Sequence, residues 1–199
     1  MGLTASDSGG GNYVQAPPGV HPAICYSVVD LGTQEKTWEG KTWDSHQVFI
    51  SWELPTQMFE FDGVTKPIAM SGFYTVSLHE KANLRIMLEG WRSKGFSSEE
   101  LKGFNIKDIL EKPCLMNVIE KDGKAKIGSV MPADDGAKSF TQFNDTLYFS
   151  FEEGLEIPGN IPEGIKNIIR KAKEFDEGTD WDAMRKGEPA IHGEDNIPF

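Results

Sequence analysis

Lys36, Trp38, Lys41 and Trp43 fall within one short polar stretch, where flat indole rings alternate with cations. An unpaired nucleic-acid base stacks on such a ring for ~1–3 kcal/mol, and a neighbouring ammonium neutralises a phosphate. The same two chemistries recur elsewhere in the chain. Phe49 and Phe73 stand among polar residues, Phe59 and Phe61 share a second polar stretch, and Lys121, Lys124 and Lys126 cluster in a third. Catalytic chemistry is poorly supplied by comparison. The four histidines (His21, His46, His79, His192) are scattered, and His79-Glu80 lacks the second histidine of a zinc-protease helix. Gly9-Gly10-Gly11 has no Lys-Ser/Thr after it and no strand before it, so it is not a phosphate loop. Asp134-Asp135 and Glu152-Glu153 are carboxylate pairs of the kind usually just solvated. The expectation is a binding protein with no enzyme activity, no cofactor and no metal site.

The elements that must hold these residues follow from hydrophobic period. Ala23 to Leu31 is rich in β-formers and stops at Gly32. In His46 to Leu54 one face reads Val48, Ile50, Trp52, Leu54 and the other Gln47, Phe49, Ser51, Glu53. A third strand runs from about Ile68 to Leu78, with Phe73 among Ser71, Thr75 and Ser77. Phe49 and Phe73 then share one sheet face if these two strands pair as a hairpin. Thr33 to Asp44 and Thr56 to Lys66 read as connecting loops. Leu84, Met87, Leu88 and Trp91 have helical spacing, Ser97 and Glu100 the spacing of a capping box, and Asn105 to Leu110 a further turn. Strands resume at Cys114 to Glu120 and Lys124 to Met131 across Asp122-Gly123, a strong hairpin signal. A last strand near Thr146–Phe151 and a helix after Pro162 (Ile165, Ile168, Ile169, Ala172) complete the ordered part. Trp52, Tyr74 and Trp91 belong in a core. Trp38 and Trp43 are open to either burial or exposure, and the segment after Met131 is a candidate cover for Phe49 and Phe73.

Three strands, a helical connection and two more strands is the element order of the OB-fold, a five-stranded barrel, although other five-stranded topologies share it. The expected fold is therefore mainly β: an OB-fold barrel with helices between strands three and four, a C-terminal strand/helix extension and an acidic tail. Residues 1–18, with their glycines and Pro17-Pro18, read as a flexible arm. Residues 19–175 form the domain, and 176–199 a tether and docking tip. Cys25 and Cys114, far apart on predicted strands, read as small core residues. No apolar run approaches eighteen residues and no secretion signal is visible, so the chain is expected in the cytoplasm and away from membranes.

Formal net charge is −11, but its distribution matters more than its sum. From Glu174 to Phe199 there are eight acidic and two basic residues, a net of −6. Between Lys81 and Lys126 there are ten basic and seven acidic residues, a net of +3. The chain closes on Glu194-Asp195-Asn196-Ile197-Pro198-Phe199. Phe199 offers a ring for an apolar pocket and a terminal carboxylate for an Arg or Lys, while Pro198 limits the entropy lost on docking. Glu194 and Asp195 add attraction to a basic rim, and Ile197 adds apolar contact.

Those six residues resemble the C-terminal tip of bacterial single-stranded DNA-binding proteins, which end in aspartates followed by Ile-Pro-Phe. Here Asn196 stands where that pattern has a further aspartate. Ile68 to Met131 is also similar to phage-encoded proteins of replication modules. The carrying residues are Ser77-Leu78-His79-Glu80-Lys81-Ala82-Asn83-Leu84, Glu89-Gly90-Trp91-Arg92 and Lys112-Pro113-Cys114. The resemblance implies an OB-fold protein that coats single-stranded DNA with little sequence preference during phage replication or recombination, in the host bacterial cytoplasm. It also implies a tail that recruits host or phage replication and repair proteins. Annealing of complementary strands, or a replisome adaptor that never touches DNA, are the alternatives. The tip itself carries the docking residues Glu194, Asp195, Ile197, Pro198 and Phe199.

Overall fold

A computed structural model describes residues 14–175. The stretch expected to form a tether and docking tip, 176–199, lies outside the described residues. Two strands dominate the fold: β1 (Gly19–Trp38) and β2 (Lys41–Phe61). They are followed by β3 (Val64–Thr75), helix α1 (Asn83–Arg92), two short 3-10 turns at Glu100–Lys102 and Ile106–Ile109, and the hairpin β4 (Pro113–Lys121) and β5 (Lys124–Pro132). A single-turn helix α2 (Asp135–Lys138), a short β6 (Leu147–Phe149) and α3 (Glu163–Ile169) complete the chain order.

The sheet order is β3-β2-β1-β4-β5, with antiparallel neighbours throughout. β1 serves two partners because it bends. Its first half pairs with β4 and its second half with β2, while β6 adds in parallel against Ser27, Val28 and Val29. Two bulges, at Tyr26 and at Leu31, supply the extra residues that let one strand turn this corner. Gly32, just after the second, has a φ of +65° that a Cβ would strain, and that Cβ would lie 2.5 Å from Ala172. The outer strands β3 and β5 face each other across a groove lined by Gln15, Met70, Phe73, Tyr74, Lys124 and Lys126.

The alternation in β2 sorts its side chains as the sequence predicts. Val48, Ile50, Trp52 and Leu54 are buried in the main core with Met70, Cys114, Met116 and the stripe of α1 (Leu84, Met87, Leu88, Trp91). Trp52 lies edge-on to Tyr74 at 6.4 Å and tilted against Trp91 at 6.0 Å. Trp91 Nε1 donates to the Pro113 carbonyl at 3.0 Å, and Gly90 brings α1 against the Val130 carbonyl. Both cysteines are free and fully buried, and burial raises both thiols above their ordinary pKa. A second, smaller core lies on the opposite sheet face, where Val29, Leu31 and Phe149 meet Ile161, Ile169, Ala172 and Phe175.

Three sequence expectations change. Thr33–Asp44 is not a loop: β1 and β2 run on as a ladder to Trp38 and Lys41, closed by Glu39-Gly40 with φ values of +48° and +75°. Thr56–Lys66 is likewise a hairpin, closed by Asp62-Gly63 with φ values of +50° and +75°. Positive φ at both central residues matches the twist of paired strands, so each turn extends its ladder. Gln15 and Ala16, which fall in the expected arm, are tied to the domain. Ala16 is buried, and Gln15 accepts from Ala125 N at 2.6 Å and donates to the Gly123 carbonyl at 3.2 Å. The capping box is present, Ser97 and Glu100 each accepting from the other's backbone N–H, although it opens only a 3-10 turn.

Candidate nucleic-acid interface

Extending the β1–β2 ladder puts the aromatic–cation stretch on a defined surface. Lys36 pairs with Trp43, and Trp38 with Lys41. Cross-strand partners share a face, as do residues two apart along a strand, so all four side chains project from one side of this arm. Trp38 is 69% and Trp43 49% exposed. Lys41 is exposed and Lys36 half-buried. The reverse side of the arm carries Glu35 opposite Asp44. Lys173 crosses to Asp44 at 2.7 Å, and that bond raises its pKa. The arm is therefore two-sided, with rings and lysines on one surface and carboxylates on the other.

β2 is regular from Lys41 to Leu54, so the same face continues through Trp43, Ser45, Gln47, Phe49 and Ser51. Phe49 and Phe73 are direct cross-strand partners with ring centroids 4.8 Å apart, as the hairpin reading requires. Their environments differ. Phe49 is half-buried under the C-terminal extension, while Phe73 is 53% exposed on β3. Phe73 also lines the groove between β3 and β5, opposite Lys124 and Lys126. Lys124 stands across from Lys121, so these three lysines share one face of the β4–β5 hairpin with Ile119.

Phe59 and Phe61 occupy the β2–β3 arm, where Lys66 lies over both rings at 5.5 and 4.3 Å. Phe59 leans on the main core, and Phe61 is half-exposed near the tip. Lys66 is the cation that sequence reasoning missed. Its signal was present, because a hairpin closed at Asp62-Gly63 sets Lys66, three residues further on, directly opposite Phe59 and diagonal to Phe61. Three other cations of the middle section are engaged in ion pairs: Arg85 with Glu89, Arg92 with Glu100, and Lys107 with Glu153. The predicted residues thus form one surface (Lys36, Trp38, Lys41, Trp43), a groove (Phe73, Lys124, Lys126) with Lys121 paired beside it, and a separate arm (Phe59, Phe61), while Phe49 packs beneath the extension.

Two polar clamps hold the extension that covers Phe49. Glu53, on the same face and fully buried, accepts from Phe143 N at 2.5 Å, Asn144 N at 2.8 Å and Asn144 Nδ2 at 2.6 Å. Glu174 accepts from Thr33 N and Thr33 Oγ1, both at 2.7 Å, and these bonds hold its carboxyl below its ordinary pKa even though burial opposes them. Nearby, His46 Nε2 lies 2.7 Å from Asp30, which raises the imidazole's pKa against partial burial. Asp30 also accepts from Gly32 N at 2.8 Å and Phe151 N at 3.4 Å.

Among the described residues no group of three or more His, Cys, Asp or Glu side chains is placed to hold a metal ion. No helix among them is long and apolar enough to cross a membrane. No protein-family model matches the chain, and no curated protein matches its sequence.

Proposed function

We propose that this chain binds single-stranded DNA with little dependence on sequence, through its Trp–Lys arm and the adjoining sheet face. The observation that carries it is the single surface formed by Lys36, Trp38, Lys41 and Trp43, with both indoles open to solvent. A hydrophobic core has no use for such rings, whereas a strand with unpaired bases offers a π-face at every nucleotide and a phosphate between them. Phe73 beside Lys124 and Lys126 repeats the combination one groove away.

The strand order supports an OB-fold as the scaffold. That fold binds oligonucleotides on its second and third strands and through the loops joining strands one to two and four to five. Here those positions hold Phe49 and Phe73, the Trp–Lys arm, and Lys121, Lys124 and Lys126. The unpaired β3 and β5 edges fit the partly open form of the barrel. Recruitment of replication or repair proteins by Glu194, Asp195, Ile197, Pro198 and Phe199, and a role in phage DNA replication or recombination, rest on the sequence resemblance alone.

The test is a fluorescence titration with poly(dT) and with duplex DNA at two salt concentrations. Tryptophan emission should quench with poly(dT), duplex should bind much more weakly, and affinity should fall steeply with salt as counterions are released. Equal affinity for duplex and single strands, or no quenching at low salt, would overturn the proposal.

A further inference from the structure

We infer that a hydroxyl-lined pocket on the outer face of the sheet takes one unstacked nucleobase of the bound strand and reads its edge, an inference that rests on the single-strand-binding reading. The pocket holds about 560 Å³ and lies between β1–β2–β3 and the segment from Asn144 to Ile165. Hydroxyl-bearing residues of three strands line it: Tyr26 and Ser27 of β1, Ser51 of β2 and Ser71 of β3. Ser71 on β3 donates to Ser51 on β2 at 2.9 Å, and Tyr26 on β1 lines the same pocket, its hydroxyl interacting with Ser51. Tyr26 is the extra residue of the first bulge, which takes it out of the regular ladder. A hydroxyl has one donor and two acceptor positions, so a chain of three leaves capacity at both ends. Base edges present donors and acceptors together, which such a chain can meet.

The surroundings suit a base better than a free polar metabolite. Phe49 forms one wall and supplies a π-face, and Lys66 supplies a cation for the adjacent phosphate. Asn160 lines the far side. That side is held in place, because buried Glu53 fixes both the backbone and side chain of Asn144. Most telling is continuity. Ser71 lines both this pocket and the groove that holds Phe73, Lys124 and Lys126. A strand stacked on Phe73 therefore passes close to the mouth of the pocket, two residues away along β3. A base that satisfies the hydroxyls is retained, and one that leaves them unpaired is penalised.

The experiment measures polarisation of labelled dT, dC and dA oligomers of equal length at one salt concentration. It uses the whole chain and the variants Ser71→Ala and Tyr26→Phe, each of which removes a hydroxyl and adds no bulk. Melting temperature monitors folding, and Ser71 is exposed on β3, so at least that variant should remain folded. The wild-type protein should favour one homopolymer over the poorest by about fivefold or more, the range of one good base contact. Both variants should shrink that ratio at least about threefold. If the three homopolymers bind equally, or if the ratio survives both substitutions, the pocket reads no base while single-strand binding itself stands. If no oligomer binds at any salt, the broader reading fails and this inference falls with it.

Discussion

Replacing Trp38 or Trp43 by alanine separates a binding surface from a structural one. Trp38 is 69% exposed and Trp43 49%, and neither belongs to either core. Truncation therefore removes little buried area, and the loss is limited to a cross-strand pair worth ~0.2–1 kcal/mol. In a chain of this size that shifts the melting temperature by at most about 4 °C. The binding side is larger. A ring that stacks on one base contributes ~1–3 kcal/mol, so each variant should bind a dT oligomer about five- to 150-fold more weakly. The two residues sit diagonally across the ladder, positions whose backbones lie about 7–8 Å apart, close enough for their side chains to couple. The double variant should therefore depart from the sum of the singles by ~0.5 kcal/mol or more. Lys36→Ala and Lys41→Ala give the complementary result, each lowering the slope of log affinity against log salt by about 0.7 for a lost phosphate contact. The assay is polarisation of a fluorescein-labelled dT oligomer across a salt series, with thermal melts of each variant alongside. If both tryptophan variants bind as the wild type does, or melt more than about 10 °C lower with affinity retained, the rings are structural and the arm is not a binding surface.

Three further outcomes test the scaffold. Trp52→Ala should cost ~3–5 kcal/mol in urea unfolding and leave folded-state DNA affinity unchanged, because Trp52 is fully buried and its Nε1 has no hydrogen-bond partner to lose. A cost below ~1 kcal/mol would mean the core is not built around it. Glu53→Gln puts an amide N–H₂ where the Phe143 and Asn144 donors converge. Stability should fall by ~2–3 kcal/mol and protease cleavage should begin near residue 143, whereas an unchanged urea midpoint would show that this clamp holds nothing. His46 tests the pH dependence. Its folded pKa is raised by Asp30, so its contribution is complete below about pH 6.5 and is lost as pH rises through the folded value. The melting temperature of His46→Gln should lie below wild type at about pH 6 and approach it by about pH 8, and a pH-independent difference would contradict the ion pair.

Much of the scaffold was legible because period-2 alternation is strict where one face is buried. Val48, Ile50, Trp52 and Leu54 gave the core face directly, and the same alternation set Phe49 against Phe73. Helix α1 was equally clear, since all four residues of its stripe are buried. The arms were harder. Glu39 is a poor advertisement for a two-residue turn that needs positive φ, and without that turn the Trp–Lys stretch looks like a loop. The bulges at Tyr26 and Leu31 leave no compositional mark, so the bend of β1 and its double partnership could not be read. Glu53 falls by alternation on the polar face with Gln47, Phe49 and Ser51. Only the extension packing over it, 90 residues further along, explains its burial.

The groove between β3 and β5 also has a mechanical side. Every other neighbouring strand in the β3-β2-β1-β4-β5 order is joined by a hydrogen-bonded ladder, so the wall is stiff along its length. At this one seam its width is set by side chains, with Gln15 lining the groove and bonded to the β5 side of it. Spreading the seam breaks no backbone ladder and needs only side-chain rearrangement. What joins the β2–β3 and β4–β5 hairpins through the backbone is the stretch of β1 around Ile24, where it passes from one partner to the other beside the bulge at Tyr26.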